Sequence, residues 1–393
     1  METWIDREEK TLLNTYSRMP IVISRGEGCY LYDEEGRKHL DMFSGLAVNA
    51  LGHCHPELIR VGKEQLEKYL HVSNFFYCKQ GVLLGEALIR RSFPGKVFFT
   101  NSGTEGVEAA VKYLFKIGEK KGRRGIVSLE GSFHGRTLGA LGLTKIPSVS
   151  RNFPTMNYPV YEISRETLGE LEALFIKFQP VGIILELISG SGGIEVLAES
   201  DMNKISKLCA QYDVVLCIDE IQTGIGRTGK FFAYQHYGFT PDLVIFAKAV
   251  GGGSPLGGII VNQNIDGYFS PGDHGTTFGP NPLGAAMGRK VLEIIDDDFL
   301  SAVSKKSQWM QEGLKELQQK FPESLGEIRG KGLMMGIDLK VDPSVLKAAF
   351  MKEQVLINIT ATSVLRLLPP LIISKGEIGK FLTVFEGCLE KLQ

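Results

Sequence analysis

The amino-acid sequence predicts an α/β protein in which helices cover a mostly parallel sheet, with a second, smaller α+β unit. Short apolar runs bounded by turn residues alternate with amphipathic helical stretches through the first two thirds of the chain. Continuous apolar runs indicate strands that are buried on both faces, as in parallel sheets. The chain's 393 residues also exceed the roughly 250–300 residues at which a single core stops growing. We therefore expect two packed units around one ligand-sized cleft.

Six apolar runs supply the predicted strands of the large sheet. They lie at residues 96–100, 125–130, 181–187, 214–220, 242–247 and 257–261. The clearest helix opens at Ser102, directly after the first of these runs. Its apolar residues recur at helical spacing and form one stripe of Val107, Ala110, Val111, Leu114 and Phe115. We expect this stripe to pack on the sheet.

The chain changes character near Asn281. Two long amphipathic helices are followed there by the strand-rich segments GEIRGKGLMMGIDLK, VLINIT and LRLLPP, and then by a closing helix. We predict three segments. Residues 1–45 would pack with the small domain, residues 46–280 would form the large cofactor-binding domain, and residues 281–393 would form the small domain.

Composition argues against several classes of protein. The formal net charge is −1 and the isoelectric point is about 6.7, so the chain has no basic field for nucleic acid. No stretch approaches the roughly 18 apolar residues of a membrane span, and the amino-terminal residues mix both charge signs. We expect a cytoplasmic protein that binds neither nucleic acid nor membranes.

The cysteine pattern is typical of reduced thiols. Six cysteines are scattered along the chain without a C-x-x-C pair, so we predict no disulfides. His53, Cys54 and His55 could belong to a metal site. An H-x-H pattern beside a proline, without matching distant ligands, is more often a packed turn. We therefore predict no metal.

Two residues together favour one cofactor. Asp219 ends an apolar run, at the edge of the sheet where ligands bind in open α/β folds. Lys248 ends the next run and precedes three glycines, which allow backbone and ligand to approach closely. A carboxylate that keeps a pyridine nitrogen protonated, and an amine that bonds to an aldehyde, suit pyridoxal 5′-phosphate (PLP). Taken alone, a buried salt bridge or an exposed lysine would explain the two residues equally well.

A phosphate site is predicted where the strand at 96–100 meets the following helix. Ser102, Gly103 and Thr104 offer free backbone N–H groups, the positive end of a helix and two hydroxyls. The simpler alternative is an ordinary helix cap by Ser102, with Glu105 in the first turn.

A second glycine-rich segment has the outline of a nucleotide-binding P-loop. Residues 224–230, GIGRTGK, fit the pattern G-x-x-x-x-G-K. Phe231 stands where a Ser or Thr hydroxyl would bind Mg²⁺, and the segment does not join a strand directly to its helix. We therefore rank a nucleotide-binding protein far below a PLP enzyme.

The chain contains eight ordered blocks, which together are more specific than any single motif: GLAVNALGHCHPEL, FFTNSGTEGVEAAVK, SFHGRTLGAL, CIDEIQTGIGRTGKFFAYQ, FAKAVGGGSPLGG, GDHGTTFGPNPL, IRGKGLMMGIDL and LRLLPPL. In these blocks the chain resembles the class III aminotransferases, in the PLP fold type I group. The resemblance covers nearly the whole chain. It implies the PLP-dependent transferase fold type I, with a large domain and a smaller α+β domain. It also implies transamination between an amino donor and a 2-oxo acid.

The resemblance implies roles for the matching residues of the cofactor site. Lys248 would be the Schiff-base lysine, Asp219 the partner of the ring nitrogen, and Gln222 a neighbour of the phenolic oxygen. Phe133 would stack on the ring, although core packing would also explain an aromatic residue there. Gly103, Thr104 and Thr277 would bind the phosphate. Apart from the resemblance, Glu220 follows Asp219 at the carboxyl end of the strand, and we expect it, with Ser102 and Ile221, among the cofactor-binding residues.

The resemblance also implies how substrates and a second subunit take part. Thr277 would reach the phosphate of the partner subunit, so the active unit would be a homodimer with shared sites. Arg136 and Arg366 would bind the two carboxylates of a dicarboxylic substrate, because a guanidinium matches a carboxylate bidentately. Thr276 would lie beside the substrate. From the residues alone, both arginines are more simply surface residues.

The chain departs from the family at Ser191. Where this chain reads ELISGSGG from residue 186, the family usually has E-P-I-Q-G-E-G-G. The second glutamate is thought to neutralise the arginine that matches Arg366 in one half-reaction and to release it in the other. Our hypothesis is that Arg366 stays available in both, which weakens discrimination between α- and ω-amino donors.

Leu46 bears on the identity of the amino donor. Family members that act on ornithine carry a tyrosine at this place, whereas an apolar residue fits an acylated ornithine better. We expect transfer of the ω-amine of N-acetylornithine to 2-oxoglutarate. Succinylated ornithine or diaminopimelate, 4-aminobutyrate, ornithine and lysine remain alternatives, as does a PLP-binding module without catalysis.

Overall fold

The computed structural model describes residues 3–154 and 156–392. The helices in this part of the chain are α1 Trp4–Thr11, α2 Ser44–Ala47, α3 Pro56–Leu66, α4 Lys79–Arg91, α5 Gly103–Lys121, α6 Leu138–Leu143, α7 Pro147–Ser150, α8 Leu171–Phe178, α9 Glu199–Tyr212, α10 Pro282–Ile294, α11 Asp297–Lys320, α12 Pro343–Lys352 and α13 Lys375–Glu390. The strands are β1 Ile23–Glu27, β2 Tyr30–Asp33, β3 Lys38–Asp41, β4 Gly95–Thr100, β5 Ile126–Leu129, β6 Val160–Ile163, β7 Gly182–Leu185, β8 Val215–Asp219, β9 Leu243–Phe246, β10 Gly257–Asn262, β11 Leu325–Lys331, β12 Met334–Leu339, β13 Val355–Leu356, β14 Asn358–Thr360 and β15 Val364–Leu367.

The largest sheet has the strand order β4-β10-β9-β8-β7-β5-β6. Strand β10 runs antiparallel to both of its neighbours, and the other strands all run in one direction. Strands β5, β7, β8 and β9 are buried along their whole length, as expected for strands covered on both faces. The carboxyl ends of the parallel strands therefore meet at one edge of the sheet.

The six predicted strands are confirmed as β4, β5, β7, β8, β9 and β10. The prediction missed β6, which lies at the edge of the sheet and is only partly buried. An edge strand packs on one neighbour only, so its sequence does not need the continuous apolar run that marked the others.

Helix α5 begins after Ser102 as predicted and ends at Gly122, which adopts a φ of 66°. The apolar stripe is buried at Val107, Ala110, Val111 and Leu114. The predicted stripe is wrong at Phe115, which is exposed. Its ring lies edge-on to the Tyr158 ring, and the two ring centroids are 5.1 Å apart. Phe115 lies beside the buried stripe, which continues at Ile117.

Two smaller sheets complete the described structure. The sheet β11-β12-β15-β14 is antiparallel, and the sheet β1-β2-β3-β13 joins the first forty residues to the carboxyl-terminal third. Helix α12, which the sequence interpretation missed, precedes the short strand β13. Helix α10 packs on α3 and α4. The division at residues 45 and 280 stays a prediction.

Three sequence features have simple structural places. All six cysteines lie in the described residues and are free thiols. In the H-x-H segment, His53 contacts the Asp41 carboxylate at 2.8 Å and His55 accepts a hydrogen bond from the Glu57 N–H at the start of α3. Among the described residues, no helix is both long and apolar enough to cross a bilayer, and no group of three potential metal ligands occurs.

Candidate active site

A cavity of about 580 Å³ opens at the carboxyl edge of the large sheet. This volume lies within the roughly 300–1,000 Å³ of small-molecule sites. Four lining segments follow parallel strands: 101–104 after β4, 133–136 after β5, Glu186 after β7 and Lys248 after β9. Asp219 is the last residue of β8. The topology therefore gathers groups that are far apart in sequence, and Arg366 of the smaller sheet faces them across the cavity.

Asp219 and Lys248 both lie at this cavity, as the sequence predicted for two consecutive parallel strands. One carboxylate oxygen of Asp219 accepts a hydrogen bond from the Ile221 N–H at 3.0 Å. The other lies 2.7 Å from Nδ1 of buried His134. Both carboxylate oxygens are thereby fixed, and the carboxylate borders the cavity.

Lys248 is held in an unusual environment. Its backbone φ is +51°, a left-handed conformation that costs a non-glycine residue free energy and is concentrated at functional sites. Burial lowers the pKa of its amine to about 8, and the negative charges of Asp219 and Glu186 limit this decrease. Near neutral pH a useful fraction of the side chain is therefore the neutral, nucleophilic amine.

The start of α5 forms one wall of the cavity. Ser102 is an ordinary cap, because its hydroxyl accepts a hydrogen bond from the Glu105 N–H at 3.3 Å. The first N–H groups of a helix have no partner within it, and those of Gly103 and Thr104 lie at this wall. The Thr104 hydroxyl lies 3.1 Å from that of Thr137. A Cβ on Gly103 would lie 2.7 Å from the Ile221 side chain, so glycine allows the two segments to meet.

Phe133, Ile221 and Gln222 also line the cavity. Phe133 is half-buried rather than part of the core, and its N–H donates to the Glu186 carboxylate at 3.0 Å. The side-chain oxygen of Gln222 is buried and has no hydrogen-bond partner among the described residues. A buried polar atom of this kind is normally satisfied by a ligand or water.

The two arginines differ sharply in environment. Arg366 is buried, and it donates to the Asn358 side chain at 2.9 Å and to the Gly190 carbonyl at 2.7 Å. Burial lowers its pKa to about 10, so it stays cationic at neutral pH. Arg136 is exposed at the rim of the cavity, with its guanidinium 5.7 Å from the Phe133 ring centroid. Reading both as surface arginines is therefore wrong for Arg366.

Three predicted site residues do not line the cavity. Glu220 points away, and its carboxylate accepts hydrogen bonds from the N–H groups of Ala233 and Tyr234. Thr276 contacts the cavity only indirectly, because its hydroxyl accepts from the side chain of Asn101 at 3.0 Å. Thr277 is exposed.

The sequence interpretation missed the roles of His134 and Glu186. Glu186 follows β7 just as Asp219 ends β8, so the same rule about carboxyl ends of parallel strands could have found it. His134 lies in a turn after β5, and no pattern in the sequence pairs it with Asp219. Only the fold brings these residues together.

Leu46 reaches the cavity from a left-handed turn. Ser44, Gly45, Leu46 and Ala47 all have positive φ, and left-handed geometry costs about 1–2 kcal/mol for each non-glycine residue. The turn is held by Asp41, whose carboxylate accepts from the N–H of Ser44 at 2.8 Å, while the Ser44 hydroxyl donates to the Leu368 carbonyl at 2.6 Å. Its consequence is an apolar side chain at the cavity wall.

The P-loop-like segment is not an anion-binding loop. The N–H groups of Gly224, Gly226 and Gly229 are used in hydrogen bonds within residues 220–231. Arg227 is fully buried, and its guanidinium donates to the carbonyls of Leu333 and Pro369. The segment therefore ties the large sheet to the carboxyl-terminal third, which argues against the nucleotide-binding alternative.

Residues 12–389 match the profile of a family described as Aminotransferase class-III. The chain belongs to the class III aminotransferases. This family is PLP-dependent, and the fold predicted for the chain is confirmed. The structure superposes on that of ornithine aminotransferase from Toxoplasma gondii with a TM-score of 0.94 at 25% identity. The superposition covers 99% of this chain and 94% of that one.

Several relatives carry a more specific name. This aminotransferase is similar to the acetylornithine aminotransferase of Aquifex aeolicus, with 42% identity over 96% of this chain and 99% of the relative. It is also similar to that of Caldanaerobacter subterraneus, with 40% identity over 99% of this chain and 100% of the relative. The structure of N-acetylornithine aminotransferase from Stenotrophomonas maltophilia gives a TM-score of 0.85 at 29% identity, covering 98% of both chains.

We predict that covalent attachment of PLP to Lys248 levels off at about pH 9. Because burial lowers the pKa of the amine to about 8, roughly half of the amine is neutral at that pH and roughly nine tenths about one pH unit higher. An ordinary lysine with a pKa of 10.5 would keep gaining reactivity well beyond it. Attachment can be trapped with borohydride and located by mass spectrometry. A continued rise to pH 10 would contradict the lowered pKa.

Proposed function

We propose that this aminotransferase uses PLP to transfer the ω-amine of N-acetylornithine to 2-oxoglutarate, giving N-acetylglutamate 5-semialdehyde and glutamate. This reaction would place it in arginine biosynthesis. The proposal rests on one observation above all: a partly buried amine, Lys248, and a fixed, buried carboxylate, Asp219, lie at one cavity beside a helix amino terminus. The names of the relatives support N-acetylornithine as the donor.

The residues at the cavity fit PLP. Gly103 and Thr104 would bind the phosphate with their N–H groups, and Phe133 would cover one face of the ring. Asp219, held by His134 and the Ile221 N–H, would pair with the ring nitrogen. When bound, PLP supplies an electron sink for the bond that breaks at the substrate carbon.

Lys248 would both hold the cofactor and move the proton. Its amine has a pKa of about 8, so it can accept a proton at Nζ from the donor carbon and release it again near neutral pH. No other lysine lines the cavity within the described residues.

Charge and shape support different places for the two substrates. Arg366 and Lys248 line the same cavity, so Arg366 suits a carboxylate beside the reacting carbon, as in 2-oxoglutarate and glutamate. Arg136 at the rim suits the distant carboxylate, which a dicarboxylate and an ω-amino donor both carry. Leu46 gives the acyl group of the donor an apolar contact.

A panel of amino donors tests the proposal. We expect the purified, PLP-loaded protein to convert N-acetylornithine with 2-oxoglutarate faster than ornithine, 4-aminobutyrate or lysine. Lys248→Ala should lower the rate by roughly 10²–10⁴-fold or more, because it removes the proton-transfer group. Lys230→Ala, at the exposed end of the P-loop-like segment, is the control and should change it little. PLP absorbance without turnover of any donor would favour a non-catalytic module.

The structure lets the Ser191 hypothesis be tested directly. Ser191 lines the cavity near Arg366, and its carbonyl rather than its side chain accepts the bond from Thr360. Ser191→Glu would place a carboxylate near the guanidinium, and we expect the half-reaction with glutamate to slow roughly tenfold, the effect of one charged hydrogen bond. Ser191→Gln is the uncharged control. An unchanged glutamate half-reaction in single-turnover measurements would show that the hypothesis is wrong.

We propose that the active unit is a homodimer with shared sites. Phe75, Phe76 and Tyr77 are consecutive aromatic residues that are almost fully exposed, and an apolar run of this kind is usually covered by a partner. The same segment reaches the loop that carries Thr277, since the Asn74 side chain donates to the Thr276 carbonyl at 2.7 Å. A second copy seated there would meet exposed Thr277.

Mixing two inactive variants tests whether sites are shared. Lys248→Ala removes the amine, and Thr277→Glu would repel a phosphate. If the two residues serve one site from different subunits, each mixed dimer has one intact site of two. Statistical reassortment makes about half of the dimers mixed, so activity should return to roughly a quarter of that of the wild type. Each variant alone is the control. No recovery in dimers shown by mass to be mixed would contradict a Thr277 contribution across the interface.

A further inference from the structure

The Glu186 carboxylate links two parts of the cavity wall. It follows β7, lies almost fully buried and borders the cavity. One oxygen accepts a hydrogen bond from the Phe133 N–H at 3.0 Å, and the other accepts from the Gly190 N–H at 3.2 Å. Neither Lys248 nor Arg366 contacts it directly. Its position is therefore set by two backbone N–H groups on different segments.

Gly190 extends this link to Arg366. Its N–H donates to Glu186, and its carbonyl accepts from Nη1 of Arg366 at 2.7 Å. A Cβ at this position would lie 2.4 Å from the Gln222 side-chain oxygen, so the residue is tightly confined. A carboxylate, one glycine residue and a guanidinium thus form a continuous hydrogen-bonded chain.

Arg366 has few other restraints. Its remaining side-chain hydrogen bond is with Asn358, and the part of the chain that the structure describes gives it no ion pair with a carboxylate. Ser191 supplies no charge. The negative charge of Glu186 still reaches Arg366, because it raises the pKa of the guanidinium against the effect of burial.

We propose that Glu186 is a positioning residue that holds Arg366 for substrate through the Gly190 backbone. This inference rests on the proposed function, in which Arg366 binds the carboxylate beside the reacting carbon. Glu186 itself does not touch the substrate. Loss of Glu186 should therefore weaken the binding of 2-oxoglutarate and glutamate selectively. The half-reaction with N-acetylornithine does not need Arg366 and should be affected much less.

Glu186→Gln is the main test, because it keeps the shape but leaves only one oxygen to accept two N–H groups. The dissociation constant of 2-oxoglutarate for the PLP-loaded enzyme, measured by calorimetry without an amino donor, should rise roughly tenfold, the effect of one charge-assisted hydrogen bond. Glu195→Gln is the matched control. That glutamate lies on the same loop but pairs with Arg329 at 2.8 Å, and the constant should stay within about twofold.

A double-mutant cycle separates positioning from a general structural role. In an Arg366→Lys background, adding Glu186→Gln should raise the 2-oxoglutarate constant no further, because the residue that it positions is already changed. Additive effects would overturn the proposal. So would equal losses in the half-reactions with glutamate and with N-acetylornithine.

The outcomes remain distinguishable from failure of the proposed function. A wild type that turns over no amino donor contradicts the proposed function. The dissociation constants of 2-oxoglutarate still test the link between Glu186 and Arg366, because binding needs no turnover. Should Glu186→Gln fail to fold, Glu186→Asp keeps the charge but is one methylene shorter, so its carboxylate cannot reach both N–H groups. It should give the same selective loss, and an unchanged constant in that variant would overturn the inference.

Discussion

The structure depends on bringing a partly buried amine and a buried carboxylate together at the carboxyl edge of one sheet. Each would be costly to bury alone, since burial disfavours its charged form. Parallel strands solve the problem geometrically, because consecutive strands end at the same edge. Asp219 ends one strand and Lys248 follows the next. The helix terminus at Gly103 and the carboxylate of Glu186 reach the same edge by the same rule.

Other residues at the cavity support Asp219 and Lys248 through hydrogen bonds to neighbouring groups. His134 and the Ile221 N–H fix the two oxygens of Asp219, and Glu186 connects the Phe133 segment to Gly190. The site is thus a set of fixed backbone groups and buried charges more than a set of independent side chains. The strands position the charged groups of the site, whereas short loops determine the shape of the cavity.

The sequence predicted the sheet, and the meeting of Asp219 and Lys248 at one of its edges, for a physical reason. Strands buried on both faces must be continuously apolar, and such runs are visible without a structure. The partly exposed edge strand Val160–Ile163 lacks that signal and was missed. The role of His134 was also missed, because its partner, Asp219, is 85 residues away in the chain. Glu220 was expected at the site because it directly follows Asp219, but neighbouring side chains of an extended chain point to opposite sides, and its carboxylate accepts from Ala233 and Tyr234 instead.

The buried Arg227 has a consequence for how this enzyme can change its range of substrates. It joins the loop after the Asp219 strand to the carbonyl of Pro369, three residues beyond Arg366. Moving either backbone would leave a buried cation without its acceptors. New donor preferences should then arise by exchanging side chains on a fixed frame, as at positions 46 and 191, rather than by shifting one half of the molecule against the other.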